Sequence, residues 1–286
     1  MTAKRVLFAA SLICLAICAC DNEIEPTPQP EEPCPVRIST RAGSLESSVG
    51  LYMVYGDMQQ TGNYLNNITL TNDGGGTWTP DEAIYWKDNE TAASFVGYAP
   101  YSDAVSNALS YSFSVQTNQS SAKAVEASDF LWGKVTSQTP IGKDVNLMLN
   151  HLLSRVTVRL AAGDGFTESD LLTGKVTVKL DGLCTSALIN LSDGSLSNAS
   201  QVASITPCKD NDLEYSAIVI PQTTQKADIV TITLNGIDYT LTRNGLTFVS
   251  GKHYTMTVTL TKSQSGISIG IGEWEDSGED FGGTVS

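Results

Sequence analysis

Lys252-His253-Tyr254-Thr255-Met256-Thr257-Val258-Thr259-Leu260 sets Tyr254, Met256, Val258 and Leu260 on one side of an extended chain and three threonines on the other. Side chains alternate between the two faces of a strand, so this period of two reads as a strand with one buried face. β-branched residues at the polar positions suit a pleated surface. The pattern recurs upstream. In Ser154–Leu160, Val156, Val158 and Leu160 oppose Arg155, Thr157 and Arg159. Lys175–Leu180 repeats it with Val176, Val178 and Leu180, and Val230, Ile232 and Leu234 continue it. Asn235-Gly236 then leads into Ile237–Thr242. Asn-Gly between alternating runs predicts a hairpin, because both residues tolerate positive φ. Asp181-Gly182, Asp193-Gly194 and Asn244-Gly245 mark further turns. Short strands at regular spacing with Gly and Asn turns predict an all-β fold of the sandwich type.

The first half carries the same signal with more interruptions. Leu51–Tyr55, Ile68–Leu70, Ser94–Tyr98 and Tyr111–Val115 read as strands. Gly74-Gly75-Gly76 lacks the lysine and hydroxyl context of a phosphate loop and reads as a loop tip. Helical signals are sparse. Thr167-x-x-Asp170 resembles a capping box, so one short helical turn is expected within Gly165–Leu172. The polar stretch Ser137–Asp144, with Pro140 and Gly142, marks a boundary between an N-terminal domain at 36–146 and a C-terminal domain at 147–286.

The amino terminus has a different logic. Lys4-Arg5 precedes Val6–Ala19, a run of small and apolar residues. That is the n-region and h-region of a secretory signal, and it falls short of the ~20 apolar residues that span a bilayer. Leu15-Ala16-Ile17-Cys18-Ala19-Cys20 resembles a bacterial lipobox, which implies cleavage after residue 19 and acyl chains on Cys20. Burial of acyl chains contributes about 0.8 kcal/mol per methylene, so several chains make a lasting membrane anchor. Residues 20–35 are acidic and Pro-rich and read as a solvated tether. The acidic Asp21-Asn22-Glu23 start also resembles a surface-export signal of Bacteroides-type lipoproteins.

Charge narrows the function. The chain's formal charge is −14 at pH 7, and loss of Lys4 and Arg5 with the signal deepens it. Nucleic acid, which requires clustered Lys and Arg, is excluded as a partner, as is adsorption to anionic lipid heads. Catalytic signatures are missing: there is no G-x-S-x-G, no H-E-x-x-H and no Cys/His set with zinc spacing. His151 and His253 are the two histidines and read as structural. Asp210-Asn211-Asp212 lacks the glycine and glutamate of a calcium loop and reads as a turn. Acidic residues near the C-terminus, Glu273 to Asp280, read as solvated. No catalytic, cofactor-binding or metal residue is therefore expected. Cys184 and Cys208 form a disulfide or remain small thiols. Trp78, Tyr85, Trp86, Tyr98, Tyr101 and Trp132 concentrate in the first half, either filling a core or presenting a surface for sugars.

A series of segments resembles a known family. In order they are Val49–Tyr55, Trp78, Ile84-Tyr85-Trp86, Ser94–Tyr101, Asn118-Gln119, Ser128–Leu131, Leu149–Val156, Gly251–Val258, Ile267-Ser268-Ile269 and Trp274. Together they resemble the fimbrillin-like family, the subunits and anchors of protease-dependent (type V) pili of Bacteroides-type organisms. The resemblance implies two transthyretin-like β-sandwich domains in tandem. It further implies a lipid-anchored precursor on the outer membrane, destined for the cell surface or fimbrium. There an arginine-specific protease removes the leader and first strand, and a neighbouring subunit's C-terminal strand fills the groove. An unpaired sheet edge is a template for such addition.

The chain has matching parts. Val36-Arg37-Ile38-Ser39-Thr40 alternates and is the candidate removable strand, with Val36 and Ile38 on one face. Arg41-Ala42 follows and is the candidate processing site, ahead of Arg37. The other reading keeps Arg41 intact and the protein lipidated, as an anchor subunit. Ile267, Ile269 and Ile271 alternate near the C-terminus and form either a donor strand or a closing strand of the second sandwich. Expected partners are other pilus subunits, the membrane through Cys20, and a host or glycan ligand. The alternative function is a surface glycan-binding lipoprotein for nutrient capture or adhesion.

Overall fold

In the computed structural model, the residues described are 34–41, 48–72, 78–140, 144–225, 228–243, 245–263, 266–271 and 275–276. The first half runs β1 (Ile38–Arg41), β2 (Val49–Val54), β3 (Leu65–Asn72), β4 (Trp78–Pro80), β5 (Ala93–Ala99) and β6 (Tyr111–Ser114). Helix α1 (Ala122–Ser128) follows, then β7 (Leu131–Gln138), β8 (Val145–Met148) and β9 (Asn150–His151). One sheet has the order β4-β3-β2-β5-β7-β9, and β1 and β8 form a separate parallel pair. The alternation in Val49–Tyr55 and Ser94–Tyr98 is that of β2 and β5, both buried in the middle of this sheet.

The second half runs β10 (Ser154–Ala162), α2 (Glu168–Thr173), β11 (Val176–Asn190), β12 (Ser195–Ile205), β13 (Cys208–Lys209), β14 (Glu214–Val219) and β15 (Gln222–Thr223). It ends with β16 (Asp228–Leu234), β17 (Ile237–Thr242), β18 (Thr247–Phe248), β19 (His253–Ser263), β20 (Gly266–Ile271) and β21 (Glu275–Asp276). One sheet has the order β13-β14-β10-β19-β20, with β21 also on β19; the other has the order β12-β11-β16-β17. Val156, Val158 and Leu160 of β10 and Met256, Val258 and Leu260 of β19 share an apolar cluster with Val178 and Leu180 of β11 and Ile232 and Leu234 of β16. The alternating residues of the sequence thus pack one sheet against the other, as a sandwich requires. Asn235 and Gly236 turn β16 into β17 with φ of 53° and 84°, the paired positive values of the expected hairpin.

The two halves interlock. β6 leaves the first half to pair with β11, from Tyr111 opposite Ile189 to Ser114 opposite Ser186. Tyr52 and Tyr98 of the first half join the same cluster as β10 and β19. A second cluster belongs to the first half alone and includes Leu51, Met53, Trp86, Phe95, Val145, Leu147 and Leu149. Helix α2 has the anticipated capping box: Thr167 accepts from the Asp170 backbone N–H, and Asp170 accepts from that of Thr167. Helix α1 was not anticipated. Ser121 caps it, accepting from the Ala124 N–H, and Ser followed by Ala-Lys-Ala is the signal that marks it.

Candidate assembly site

β8 alternates Val145 and Leu147, which are buried, with Asn146 and Met148, which are exposed. It crosses the first sheet where Gly97 of β5 and Gly133 of β7 stand opposite each other. A Cβ on Gly133 would collide with the Met148 carbonyl, and one on Gly97 with the Leu147 side chain. The glycine pair therefore lets β8 lie close on the sheet. β8 in turn supplies the edge on which β1 rests.

β1 lies parallel to β8, from Ile38 opposite Val145 to Arg41 opposite Met148. Among the described residues β8 is its sole strand partner. Just before β1 the chain is tied elsewhere: the Val36 N–H donates to Ile84 O at 2.8 Å, and the Trp86 N–H donates to Cys34 O at 2.9 Å. Val145 N–H donates to Arg37 O at 2.8 Å. Segment Cys34–Arg41 thus spans from the Ile84–Trp86 loop to β8. Val36 is buried in the first-half cluster, and Cys34 and Ile38 pack half-buried against it. Arg37 is exposed between buried Val36 and half-buried Ile38.

The candidate cleavage residue Arg41 is the last residue of β1. Ala42, Cys20, the signal and residues 20–33 of the tether lie outside the described residues, as do Trp274 and the Gly74–Gly76 loop tip. Ile267, Ile269 and Ile271 lie in β20, opposite Lys262, Leu260 and Val258 of β19. That places the candidate donor strand at the edge of the second half's sheet, paired on β19.

The remaining candidate residues fall into structural settings. His151 Nδ1 stands 2.7 Å from Asp129 Oδ2, and His253 Nε2 shares a 2.8 Å hydrogen bond with Thr157 Oγ1. Thr157 also bonds Ser216, and both hydroxyls are buried, out of reach of a substrate. Cys34, Cys184 and Cys208 are free thiols. Burial first, and then nearby Asp210, push the Cys208 thiol above its ordinary pKa against the opposing pull of Arg155. Asp210-Asn211-Asp212 is a turn closed by Glu214, whose carbonyl accepts from the Asp210 N–H at 2.9 Å. Trp78, Trp86 and Tyr98 belong to the core, while Tyr85 is exposed and Tyr101 and Trp132 are half-buried. Trp132 donates its indole N–H to Leu191 O at 2.9 Å. Half of the proposed sugar platform is therefore packing.

Sequence reading missed two amides, one buried at Gln119 and one half-buried at Gln222. The Gln119 side chain donates to Ile218 O and accepts from the Ile218 N–H, each at 2.8 Å. Gln222 does the same for Cys184, at 3.0 and 2.8 Å. Each amide takes the place of a neighbouring strand on an open edge.

Comparisons with known proteins agree with this architecture. Residues 40–274 match the model of the fimbrillin-like family. The chain is similar to the candidate fimbrium subunit Fim1C of Bacteroides uniformis, with 24% identity over 95% of each chain. A candidate cell adhesion protein of Bacteroides uniformis superposes with a TM-score of 0.65 at 21% identity, over 85% of this chain and 98% of that one. A fimbrial protein of Bacteroides vulgatus superposes with a TM-score of 0.54 at 14% identity, over 85% and 99%.

Proposed function

This chain belongs to the fimbrillin-like family, and we propose that it is a lipid-anchored pilus subunit precursor, activated by cleavage after Arg41 and assembled by strand exchange. A fimbrial subunit or adhesin role at the cell surface comes with the family. The finer reading rests on one observation: Cys34–Arg41 is a short segment held at one sheet edge by β8 and by the Ile84–Trp86 loop.

Its removal would strip Val36 from the first-half cluster and leave the β8 edge unpaired. Full burial of a side chain of this size is worth about 1.5–3 kcal/mol, and an unpaired buried backbone group costs about 1–3 kcal/mol. A strand from another subunit would recover both contributions. In this reading Ile267, Ile269 and Ile271 supply the incoming strand after β20 leaves β19. The outer membrane holds the precursor through acyl chains on Cys20, and other pilus subunits are the partners. The two halves act as tandem sandwiches, and the chain catalyses no reaction.

Treatment of the purified chain with an arginine-specific protease tests this. Mass spectrometry should find Ala42 as the new N-terminus, and light scattering should show polymers. A folded Ile267→Asp/Ile269→Asp/Ile271→Asp variant should be cut and stay monomeric, since charge does not enter an apolar groove without a large penalty. A trimmed native chain that remains a stable monomer at high concentration refutes strand exchange. Separately, Cys20→Ser should release the protein from membranes; full retention of that variant refutes the lipid anchor.

A further inference from the structure

A groove with about 250 Å³ of accessible space opens in the second half, between α2, the start of β11 and the turn around β13 and β14. The buried side chains of Leu171, Val178 and Tyr215 line it, and exposed Leu172 stands at its rim. The register of β11 explains why it is open. β16 pairs with β11 from Val176 to Leu180. On the other side, β12 pairs only as far as Leu180, opposite Ile205. One step further Val178 would face Pro207, which has no N–H to donate. Thr206 turns away instead: its N–H donates to Thr117 O and its carbonyl accepts from the Gln119 N–H, each at 2.8 Å.

The neighbouring Lys175 shows which main-chain groups are left over. Its N–H donates to the Asn235 side chain at 2.9 Å and its carbonyl accepts from the Asn235 N–H at 3.0 Å, so both face β16. Main-chain groups of successive residues alternate between the two edges of an antiparallel strand. Those of Val176 and Val178 therefore face the groove, where among the described residues no strand pairs with them.

We propose that this edge receives an extended segment of a partner protein in which apolar side chains alternate with acidic ones. Strand addition of this kind draws affinity from main-chain hydrogen bonds and specificity from the alternate side chains. One set of the incoming side chains continues the inward row of Val176 and Val178 and meets Leu171, Leu172 and Tyr215. The other set stands beside Lys175, Thr177 and Lys179, which share the exposed outward face of β11. Opposite charges on adjacent strands attract, so the two lysines select carboxylates. Lys209 adds a third cation at the rim, in a 3.2 Å pair with Asp212 that is too exposed to hold it firmly. The site uses neither Arg41 nor the isoleucines of β20, so it stands or falls apart from strand exchange.

Titration of the purified full chain with a short blocked peptide that alternates glutamate and isoleucine tests the proposal. Physiological salt screens the chain's overall negative charge beyond about 8 Å. Amide hydrogen exchange reads the result. In the free chain the Val176 and Val178 amides should exchange faster than those of Thr177 and Lys179, which face β16. Saturating peptide should protect both by at least roughly tenfold. A lysine–isoleucine peptide should bind roughly tenfold more weakly, and so should the glutamate peptide to Lys175→Glu/Lys179→Glu. Leu172→Glu, at an exposed position, should abolish binding without moving the melting temperature. The proposal is overturned if the two amides are already protected in the free chain, or if the glutamate peptide fails to bind saturably or binds without protecting them. It is also overturned if the lysine peptide binds equally well, or if both folded variants bind like the native chain.

Discussion

The edges of β14 and β8 are both closed by something other than a long strand, and the closures differ in kind. At β14, one side chain closes the edge. Gln119 is fully buried and satisfies both backbone groups of Ile218. At β8, a stretch of main chain closes the edge, and it carries Val36 and Ile38 into the apolar cluster. A side chain cannot leave without breaking the structure around it. A terminal segment needs only one peptide bond cut to be free to depart. The same backbone chemistry is thus sealed permanently in one place and removably in the other.

The broadest way to stress the β14 side is base, because the cluster that holds Ile218 also contains Tyr52 and Tyr98. Burial, more than the nearby Tyr101 and Tyr111, pushes Tyr52 up to about 12, and burial raises Tyr98 as well. A raised folded-state pKa gives stability that is complete below pH 10 and lost as pH climbs through the folded value. For Tyr52 alone the loss between pH 10 and 12 is at most about 2 kcal/mol. Urea midpoints should fall steeply across that window, and Tyr52→Phe should flatten the slope. A slope unchanged by that substitution would move the titration elsewhere.

Gln119→Ala isolates the permanent closure. It leaves the Ile218 N–H and carbonyl without partners in a dry position, at a cost of roughly 2–4 kcal/mol. Gln119→Glu keeps the shape but removes the donor to the carbonyl, and should be no better. Equilibrium urea unfolding reads both. A cost below about 0.5 kcal/mol for the alanine variant would mean that water seals this edge as well as the amide does.

Val36→Ala isolates the removable one. Its expected cost is about 1–2 kcal/mol, and the contrast lies in where that cost is felt. Local opening of Cys34–Arg41 exposes the bond after Arg41 without global unfolding, so cleavage should speed up by roughly tenfold. Global stability should fall by the same amount, but cleavage should depend only weakly on urea, because local opening exposes little surface. A urea dependence of cleavage as steep as that of global unfolding would show that this segment opens only when everything does, and would end the comparison.

These closures explain how much could be read in advance. Alternation exposed β2, β5, β10, β16, β17 and β19, because a half-buried strand writes its face directly into the sequence. Thr167 and Asp170 announced α2, and Val36 to Thr40 announced β1, for the same local reasons. What lies between elements left no local trace. Nothing in Val145–Met148 says that β1 will lie parallel to it, or that Gly97 and Gly133 will clear its path. Gln119 and Gln222 look like surface residues, and only the backbone groups opposite them draw Gln119 into the interior and Gln222 partly out of solvent. β12 hid for another reason: it is a mostly exposed edge strand rich in serine, in which Leu196, Val202 and Ile205 keep no period of two.

β12 also supplies a third way to guard an edge, and the smallest expected effect. Among the described residues it pairs only with β11; it carries no charge or proline across Ser195–Ile205, and would serve as a template for another chain if it were flat. It is not flat. Asn198 and Gln201 stand at φ of 53° and 59°, and its pairing with β11 slips between Leu180 and Leu183 and again between Ser186 and Leu188. Such irregularities bend an edge away from partners. The Gln201 carbonyl is held in place by the Thr185 hydroxyl at 2.6 Å. Strand propensity alone predicts that exposed Gln201→Val should stabilise the protein. The left-handed backbone predicts the reverse, because a β-branched side chain is especially poor there, at a cost of about 1 kcal/mol. Thermal unfolding of Gln201→Val against Gln201→Gly separates the two. If valine is the more stable variant, the kink is dispensable, and β12 is a plain edge whose isolation must come from elsewhere.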